Sequence, residues 1–210
     1  LSKLKLECRV DIAFNLAAIH TTPGHMPHEY FETNAHGTIE ICDFCKRHNV
    51  WKLIFASSMS VYGKTTGPTI ESDKLAAISD YGKSKIIAEK IHLSWAEQTN
   101  NHLVICRPAV IFGPNEKGNF TRLARLFKRK VFIYPGSGNT VKSCYYVNRL
   151  VDDMLYSVKH QQQLILFNAA YAEKLTVKEI GNTFSKVLGR PYIHVGLPVK
   201  PMYFIARLIS

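Results

Sequence analysis

Three short apolar segments, separated by long helical stretches, constrain the fold of this chain more than any other feature. The segments are Val10–Leu16, Leu53–Ala56 and Leu103–Cys106. Between them, Pro27–His48 and Tyr81–Asn100 have the pattern of helices. Short apolar strands that alternate with amphipathic helices form parallel βαβ units. The sequence therefore predicts an α/β fold with a doubly wound parallel sheet.

Each predicted strand ends in small or polar residues. The ends are Ala17-Ala18, Ser57-Ser58 and Arg107-Pro108. Open parallel sheets bind their ligands beyond the carboxyl ends of the strands. The residues at these three ends are therefore candidates for a ligand-binding site.

Tyr81 and Lys85 add candidate acid/base chemistry. A free tyrosine, with a pKa of about 10, is a poor base at neutral pH. On a helix capped by Ser79 or Asp80, the two side chains share one face, so the lysine charge and the helix dipole both lower the tyrosine pKa. With the Ser58 hydroxyl, they form a general acid/base set for a carbinol or carbonyl oxygen. Taken alone, the Tyr-Lys pair also fits a solvated helix.

Five motifs in a fixed order make the pattern more specific than any one of them. They are Asp11–Ala18, Asn34–Thr38, Phe55–Gly63, Tyr81–Lys85 and Arg107–Pro114. Together they resemble the extended short-chain dehydrogenase/reductase superfamily and, within it, the NAD-dependent epimerase/dehydratase family. This resemblance implies a Rossmann-like fold and an NAD or NADP cofactor.

The resemblance also implies a role for each matching residue. Ser58 would bind the reacting substrate oxygen, Tyr81 would be the acid/base, and Lys85 would hold the ribose hydroxyls while tuning Tyr81. Asn34 would support the hydrogen-bond network of the site as a fourth catalytic residue. The residues implied to contact the cofactor are Ala17, Ala18, Ser57, Tyr81, Lys85 and Pro108, and those implied to bind substrate are Ser58, Asn119 and Lys142. Lys142 would act as a point charge against a substrate phosphate.

The chain departs from the family in its first part. A dinucleotide-binding fold needs a glycine-rich turn after its first strand. The first glycine here is Gly24, which is too late, and Gly136–Asn139 predicts a β-turn instead. We therefore expect an N-terminally truncated chain that lacks the first βαβ unit. The choice between NAD and NADP would depend on that unit.

Met59 and Ser60 narrow the expected reaction. Dehydratases and decarboxylases of the family place carboxyl groups at these positions, where they remove a carbon-bound proton or assist loss of water. Met59 and Ser60 can neither remove such a proton nor assist loss of water. Their presence favours a reaction by hydride transfer. We expect an epimerase or keto-reductase that acts on a nucleotide-linked sugar, although Arg149 and the lack of asparagine in Ala109–Ile111 weaken the sugar-nucleotide assignment.

Two alternatives remain open at this point. The first is a hydroxysteroid-type alcohol dehydrogenase, which an apolar cavity near Val110 and the tail would favour over phosphate contacts from Lys142. The second, from another class, is a non-catalytic dinucleotide-binding protein or an inactive fragment.

The second half of the chain predicts late sheet strands mixed with a small substrate-binding lobe. The expected elements are a basic helix at Arg122–Lys130, strands at Val131–Tyr134, Lys142–Val147, Leu164–Asn168 and Tyr192–Val195, and helices at Leu150–His160, Thr176–Leu188 and Pro201–Ser210. Thr176 with Glu179 predicts a capping box, and Gly189 predicts the stop. The expected domains are residues 1–114, a partial dinucleotide-binding domain, and residues 115–210.

Composition bears on partners and location. The net charge is +11. Because the basic residues are scattered and Arg122–Lys130 fits an amphipathic surface helix, we expect no nucleic-acid partner. The sequence has no signal-peptide pattern and no run of apolar residues long enough to insert into a membrane. We expect a cytoplasmic homodimer, with the two long helices forming the interface.

The cysteines and histidines predict no metal site. Five cysteines are an odd number without a disulfide framework, which indicates reduced thiols. Cys42 and Cys45 form a single CxxC inside a helix, and no second pair exists to complete a zinc site. His25 and His28 lie shortly after the Ala17-Ala18 strand end, so a loop is a better interpretation than a metal site.

Overall fold

The structure, a computed structural model, describes residues 4, 6–22, 24–116, 118–128, 131–135, 138–173, 175–189, 191 and 193–197. The side chains of residues 119, 126–128, 131–135 and 193–197 are outside this description. The helix predicted at Pro201–Ser210 lies outside the described residues, as do two residues of the predicted turn at Gly136–Asn139.

A four-stranded parallel sheet organises the first part of the chain. In spatial order its strands are β1 (Ile12–Asn15), β2 (Lys52–Ala56), β3 (His102–Pro108) and β7 (Leu164–Ala169). Each neighbouring pair is parallel. This sheet confirms the predicted α/β, Rossmann-like fold, and its strands include all three that the apolar segments predicted.

Helices connect these strands and cover the sheet. They are α1 (Pro27–Tyr30), a π-helical turn (Phe31–His36), α2 (Gly37–Arg47), a 3₁₀ helix (Met59–Tyr62), α3 (Asp80–Thr99) and α5 (Val147–Val158). Strands β2 and β3 carry fully buried side chains such as Leu53, Phe55 and Ile105, which pack with Trp95 of α3. Burial on both faces explains why these strands are continuous apolar runs without alternation.

The ends of α3 follow the predicted signals. Ser79 is the N-cap, and its hydroxyl accepts a hydrogen bond from the Gly82 backbone N–H at 3.1 Å. At the other end, Asn100 takes a left-handed conformation with φ of 53°. Asparagine tolerates this conformation better than most residues, so the helix stops there.

Two further strand pairs lie in the second half. Strand β4 (Val110–Phe112) pairs in parallel with β6 (Cys144–Tyr146), and β5 (Val131–Pro135) pairs in parallel with β8 (Ile193–Leu197). Helix α4 (Asn119–Lys128) precedes β5. The sequence did not predict β4, because three residues directly after β3 carry no turn signal that separates two strands.

Helix α6 (Val177–Leu188) has the ends that its sequence predicts. Thr176 and Glu179 form the capping box, with the Glu179 N–H donating to the Thr176 hydroxyl at 3.1 Å. Gly189 ends the helix at φ of 61°, a conformation that glycine adopts without steric cost.

Contacts divide the chain into two compact units. Unit 1 comprises Leu1–Ala109 and Asn148–Ala170, and unit 2 comprises Val110–Val147 and Tyr171–Ser210. The chain leaves unit 1 earlier than the predicted boundary between residues 114 and 115. It then returns to unit 1, because β7 pairs with β3. A single boundary along the sequence does not describe this arrangement.

Three findings bear on the predicted partners. None of the helices in the described part of the chain is long and apolar enough to cross a membrane. Within the described residues, no group of three or more His, Cys, Asp or Glu side chains is placed to hold a metal ion. Burial raises the pKa of Cys42 to about 12 and that of Cys45 to about 11, which keeps both as thiols.

His92 lies in the core of unit 1 as a neutral ring. Its Nδ1 lies 2.8 Å from the Ala88 carbonyl, its Nε2 lies 3.3 Å from the Asn15 amide nitrogen, and its ring stacks on Phe55 at 4.2 Å. A proton on Nδ1 and none on Nε2 satisfies both hydrogen bonds. Burial is the main reason that the pKa of His92 falls to about 4.

We expect this histidine to make the protein acid-sensitive. The unfolded chain binds a proton at His92 below its ordinary pKa of about 6.5, whereas the folded chain does not until about pH 4, so stability is lost as pH falls through this window. Between pH 6.5 and 5 the loss is about 2 kcal/mol. Urea unfolding of His92→Gln should show a flatter pH dependence, and the exposed control His36→Gln should not. An unchanged slope in His92→Gln would contradict this.

Candidate active site

Ser58 and Tyr81 meet at the carboxyl end of β2. Ser58 follows this strand and caps the 3₁₀ helix, where its Oγ accepts from the Ser60 N–H at 3.1 Å. Tyr81 lies in the first turn of α3, with its phenol close enough to the Ser58 side chain for that side chain to affect its pKa. The hydroxyls of Ser58 and Tyr81, which are 23 positions apart in the sequence, therefore lie at the same end of strand β2.

The pKa of Tyr81 departs from the sequence-based prediction. The prediction was a pKa lowered by Lys85, whereas the pKa of Tyr81 is raised above its ordinary value because burial disfavours the phenolate. The Ser58 side chain lowers this pKa, but by less. The expected lowering is thus wrong for the chain as described, and the phenol is protonated at neutral pH.

Lys85 lies one turn after Tyr81, as predicted, but its side chain contacts strand β2. Its Nζ donates to the Ala56 carbonyl at 2.7 Å and lies 4.5 Å from the Phe55 ring centre. Only 2% of Lys85 is exposed. Burial lowers the pKa of Lys85 to about 8, and the negative charge of Glu89 counters part of that effect.

Asn34 connects the segment after β1 to the start of α3. Its Oδ1 accepts from the Ile19 N–H at 2.8 Å, and its Nδ2 donates to the Ile19 carbonyl at 2.9 Å and to Ser84 Oγ at 3.0 Å. The Ser84 hydroxyl in turn donates to the Tyr81 carbonyl at 2.8 Å. Asn34 lies in the π-helical turn, a feature that is frequent at functional sites and that the sequence did not predict.

The largest feature that the sequence missed is a buried ion pair. Arg107, near the end of β3, donates to both carboxylate oxygens of Glu89 on α3, at 2.9 and 2.7 Å. Ser57, predicted to contact the cofactor, donates its hydroxyl to the same carboxylate at 2.5 Å. Glu89 follows Lys85 by four residues on a face that is buried, and this spacing was the available signal.

The other predicted residues occupy different places. Ala17 and Ala18 follow β1, with Ala17 exposed, and Pro108 ends β3 half-buried. Lys142 lies in unit 2, exposed, with its backbone N–H donating to the Leu175 carbonyl at 2.8 Å. Asn119 is the first residue of α4, and its side chain lies outside the described residues.

Unit 2 contains an apolar cavity of about 490 Å³ beside β4. Its lining includes the side chains of Phe112, Phe120, Tyr146, Ile180 and Phe184. Among the described residues of the lining, Glu116 is the one that is charged. The sequence analysis named an apolar cavity near Val110 and the tail; Val110 is not among the described lining residues of this cavity, and the tail lies outside the described residues.

Gly82 fits a space in which no side chain can be placed. A Cβ at this position would lie 2.6 Å from the Ser60 carbonyl oxygen and 2.9 Å from the Ala77 Cβ. Both contacts are far shorter than van der Waals separation, so the backbone would have to move. The start of α3 therefore packs directly against the 3₁₀ helix that follows Ser58.

We expect Gly82→Ala to lower kcat of the full-length protein at least tenfold. The added methyl pushes the first turn of α3, and Tyr81 with it, away from Ser58. Overpacking costs about 1–3 kcal/mol, which the higher helix propensity of alanine offsets only in part. Thermal unfolding should show a lower stability of this variant, and steady-state kinetics should show the lower kcat. Gly67→Ala, where a Cβ meets no atom within 4 Å, is the matched control, and equal effects of both substitutions would contradict the packing argument.

Comparison with known proteins shows which family and which relatives this sequence resembles. Residues 1–170 match the sequence model of the NAD dependent epimerase/dehydratase family. N-acetyl-alpha-D-glucosaminyl-diphospho-ditrans,octacis-undecaprenol 4-epimerase of Escherichia coli O157:H7 is 32% identical over 71% of this chain and 46% of its own length. UDP-glucose 4-epimerase of Vibrio cholerae is 29% identical over 81% of this chain and 53% of its own length. The chain thus spans about half the length of these curated relatives.

Solved structures share the fold at lower identity. UDP-glucuronic acid 4-epimerase from Bacillus cereus, in complex with NAD, superposes with a TM-score of 0.79 at 22% identity, over 90% of this chain and 63% of that one. UDP-N-acetylglucosamine 4-epimerase from Methanobrevibacter ruminantium M1 gives 0.78 at 23% identity, over 91% of this chain and 69% of that one. At such identities the likeness shows the fold alone.

Proposed function

The chain belongs to the NAD dependent epimerase/dehydratase family, and from this premise we propose that the full-length protein is an NAD-dependent 4-epimerase of a nucleotide-linked sugar. The observation that carries the proposal is the placement of Ser58 and Tyr81 at the carboxyl end of β2, where the Ser58 side chain acts on the Tyr81 phenol and Lys85 lies one turn away. The relatives are named for 4-epimerisation of sugars joined to diphosphates, in keeping with it.

The residues at the ends of the sheet fit a bound NAD. Ala17 and Ala18 are small enough to lie under a flat ring, and Pro108 ends the neighbouring strand β3. Lys85 has three N–H donors, of which the Ala56 carbonyl accepts one, so the ammonium has donors left for ribose hydroxyls. When bound, NAD would accept a hydride from the sugar carbon and return it, and its positive ring would favour a nearby phenolate.

The chain's own residues would handle the proton. Ser58 holds the substrate oxygen through its hydroxyl, next to Tyr81 Oη. Tyr81 as phenolate takes the proton of the sugar hydroxyl when that carbon is oxidised. As phenol, it returns the proton when the ketone is reduced from the other face. The Lys85 ammonium would hold the ribose hydroxyls of the cofactor, and Asn34 keeps the start of α3 in place through Ser84.

The test is epimerisation of a labelled nucleotide sugar by the full-length protein. UDP-glucose with deuterium at sugar carbon 4 and the UDP-N-acetylglucosamine equivalent are the first substrates to compare. Direct return of the hydride predicts a product inverted at carbon 4 that retains its deuterium and gains none from heavy water. Loss of the label to solvent, or no inversion with any nucleotide sugar, would contradict the proposal.

The apolar cavity of unit 2 favours a second candidate, an alcohol dehydrogenase of the hydroxysteroid type. Its lining would accept the rigid apolar skeleton of such a substrate. The two candidates differ in where the hydride ends. A dehydrogenase converts added NAD to NADH in step with alcohol oxidised, and an epimerase leaves the amount of NAD unchanged. Steady accumulation of NADH with a sterol alcohol would favour this second candidate.

The proposal extends to assembly and location. We propose a cytoplasmic homodimer that forms through α2 and α3. Ile39 of α2 and Ile87 of α3 are exposed on neighbouring helices and would be buried in such an interface. Sedimentation of the full-length protein at two concentrations tests this, and a monomer at micromolar concentration would contradict it.

A further inference from the structure

A buried carboxylate lies one helical turn from Lys85. Glu89 is one turn after Lys85 on α3, and only 1% of it is exposed. Its Oε1 accepts from Ser57 Oγ and Arg107 Nε, and its Oε2 accepts from Arg107 Nη2. Three donors therefore meet this one carboxylate, two of them on the charged guanidinium.

Arg107 holds this carboxylate in one orientation. Its Nη1 donates to the Tyr62 hydroxyl at 2.6 Å and to the Glu71 carbonyl at 3.1 Å. The Tyr62 hydroxyl donates to the Asn168 Oδ1 at 2.8 Å. Guanidinium is planar and remains charged at any working pH, so these bonds fix the position of the Glu89 carboxylate.

The charges around Lys85 come from three elements. On α3, Tyr81 lies one turn before it, Glu89 one turn after it, and neutral His92 two turns after it. Strand β2 offers only the Ala56 carbonyl and the Phe55 ring. Strand β3 contributes Arg107, whose charge is paired with Glu89. Glu89 is therefore the one group that favours the charged form of Lys85 against burial, among the causes resolved for the described residues.

We propose that Glu89 is a positioning residue that keeps Lys85 in its ammonium form at neutral pH, with Arg107 and Ser57 fixing the carboxylate for this task. The proposal rests on the proposed function in that Lys85 acts there as a cation. A second consequence is that Ser57, predicted as a cofactor contact, serves the site through Glu89. The burial that lowers the pKa of Lys85 to about 8 makes such a counter-charge necessary.

The direct test is the titration of Lys85 in protein labelled with ¹³C at the lysine Cε. Glu89→Gln removes the charge with little change in size. We expect the pKa of Lys85 to fall by about one unit or more, and the alkaline limb of kcat/KM to move to lower pH by the same amount. Glu97→Gln, an exposed change of the same charge on the same helix, should leave both unchanged.

Arg107→Gln provides the opposite test. It leaves the Glu89 charge without its partner, so the pKa of Lys85 should rise. General loosening of the structure cannot move one pKa in opposite directions in two variants. If either single variant fails to fold, the apolar double variant Glu89→Met/Arg107→Met replaces it, and the pKa of Lys85 should again fall.

The outcomes separate this proposal from the proposed function. The titration needs no turnover, so the expected pKa shifts without epimerase activity would support Glu89 and reject the epimerase. A pKa of Lys85 that is unchanged in Glu89→Gln, or that moves the same way in Glu89→Gln and Arg107→Gln, would overturn the role of Glu89, whatever the activity.

Discussion

Replacing Tyr81 by phenylalanine should lower kcat of the full-length protein by about 10²–10⁴-fold. In the proposed mechanism the phenol exchanges a proton with the substrate oxygen, and phenylalanine has no proton to exchange. KM should change only a few-fold, because the proposed proton exchange acts on the transition state and not on substrate binding. The measurement is steady-state epimerisation, with the amount of bound NAD determined in each preparation.

Tyr30→Phe is the matched control for this substitution. The Tyr30 ring lies 6.5 Å from that of Tyr81, and its hydroxyl donates to the Thr21 carbonyl. It loses a hydroxyl of the same kind close by, without contact to the proposed reaction. If Tyr81→Phe retains more than a tenth of the wild-type kcat, Tyr81 is not the acid/base. In that case the non-catalytic alternative gains support.

Replacing Arg107 by methionine should lower the free energy of unfolding by about 3–5 kcal/mol. The guanidinium is 5% exposed and makes four hydrogen bonds, so its loss leaves the buried Glu89 carboxylate without a counter-charge. Removing one partner of a buried ion pair costs more than the pair contributes, because an isolated charge stays behind. Urea unfolding followed by circular dichroism measures the change.

One control variant and one rescue variant test this expectation. Arg9→Met breaks an ion pair with Asp11 whose side chains are 80% and 50% exposed, and it should cost less than about 1 kcal/mol. The double variant Glu89→Met/Arg107→Met should recover most of the stability, since neither charge is left alone. An Arg107→Met variant as stable as Arg9→Met would show that the pair does not hold α3 to β3.

The parts of the fold that follow from local patterns could be predicted from the sequence. Strands β2 and β3 are buried on both faces, so their sequences are short apolar runs. Helices α3 and α6 carry clear capping residues. Tyr81 and Lys85 share a helix face because of their spacing alone. Strand β4 was missed, because the strand with which it pairs among the described residues is β6, more than thirty positions later in the chain.

The electrostatics of the site could not be predicted, because they depend on burial. Spacing places a lysine beside a tyrosine, and we expected a lowered tyrosine pKa. The structure turns the Lys85 ammonium to the Ala56 carbonyl and buries the Tyr81 phenol, which reverses the direction. The pair between Glu89 and Arg107 joins a helix to a strand, and no local pattern reports such contacts.

The structure of the full-length protein with NAD and a nucleotide sugar tests the central claim most directly. The account predicts that Ser58 Oγ and Tyr81 Oη both lie within hydrogen-bond distance of one sugar hydroxyl oxygen, with the Lys85 ammonium on the ribose. A sugar oxygen bound away from either hydroxyl would contradict it.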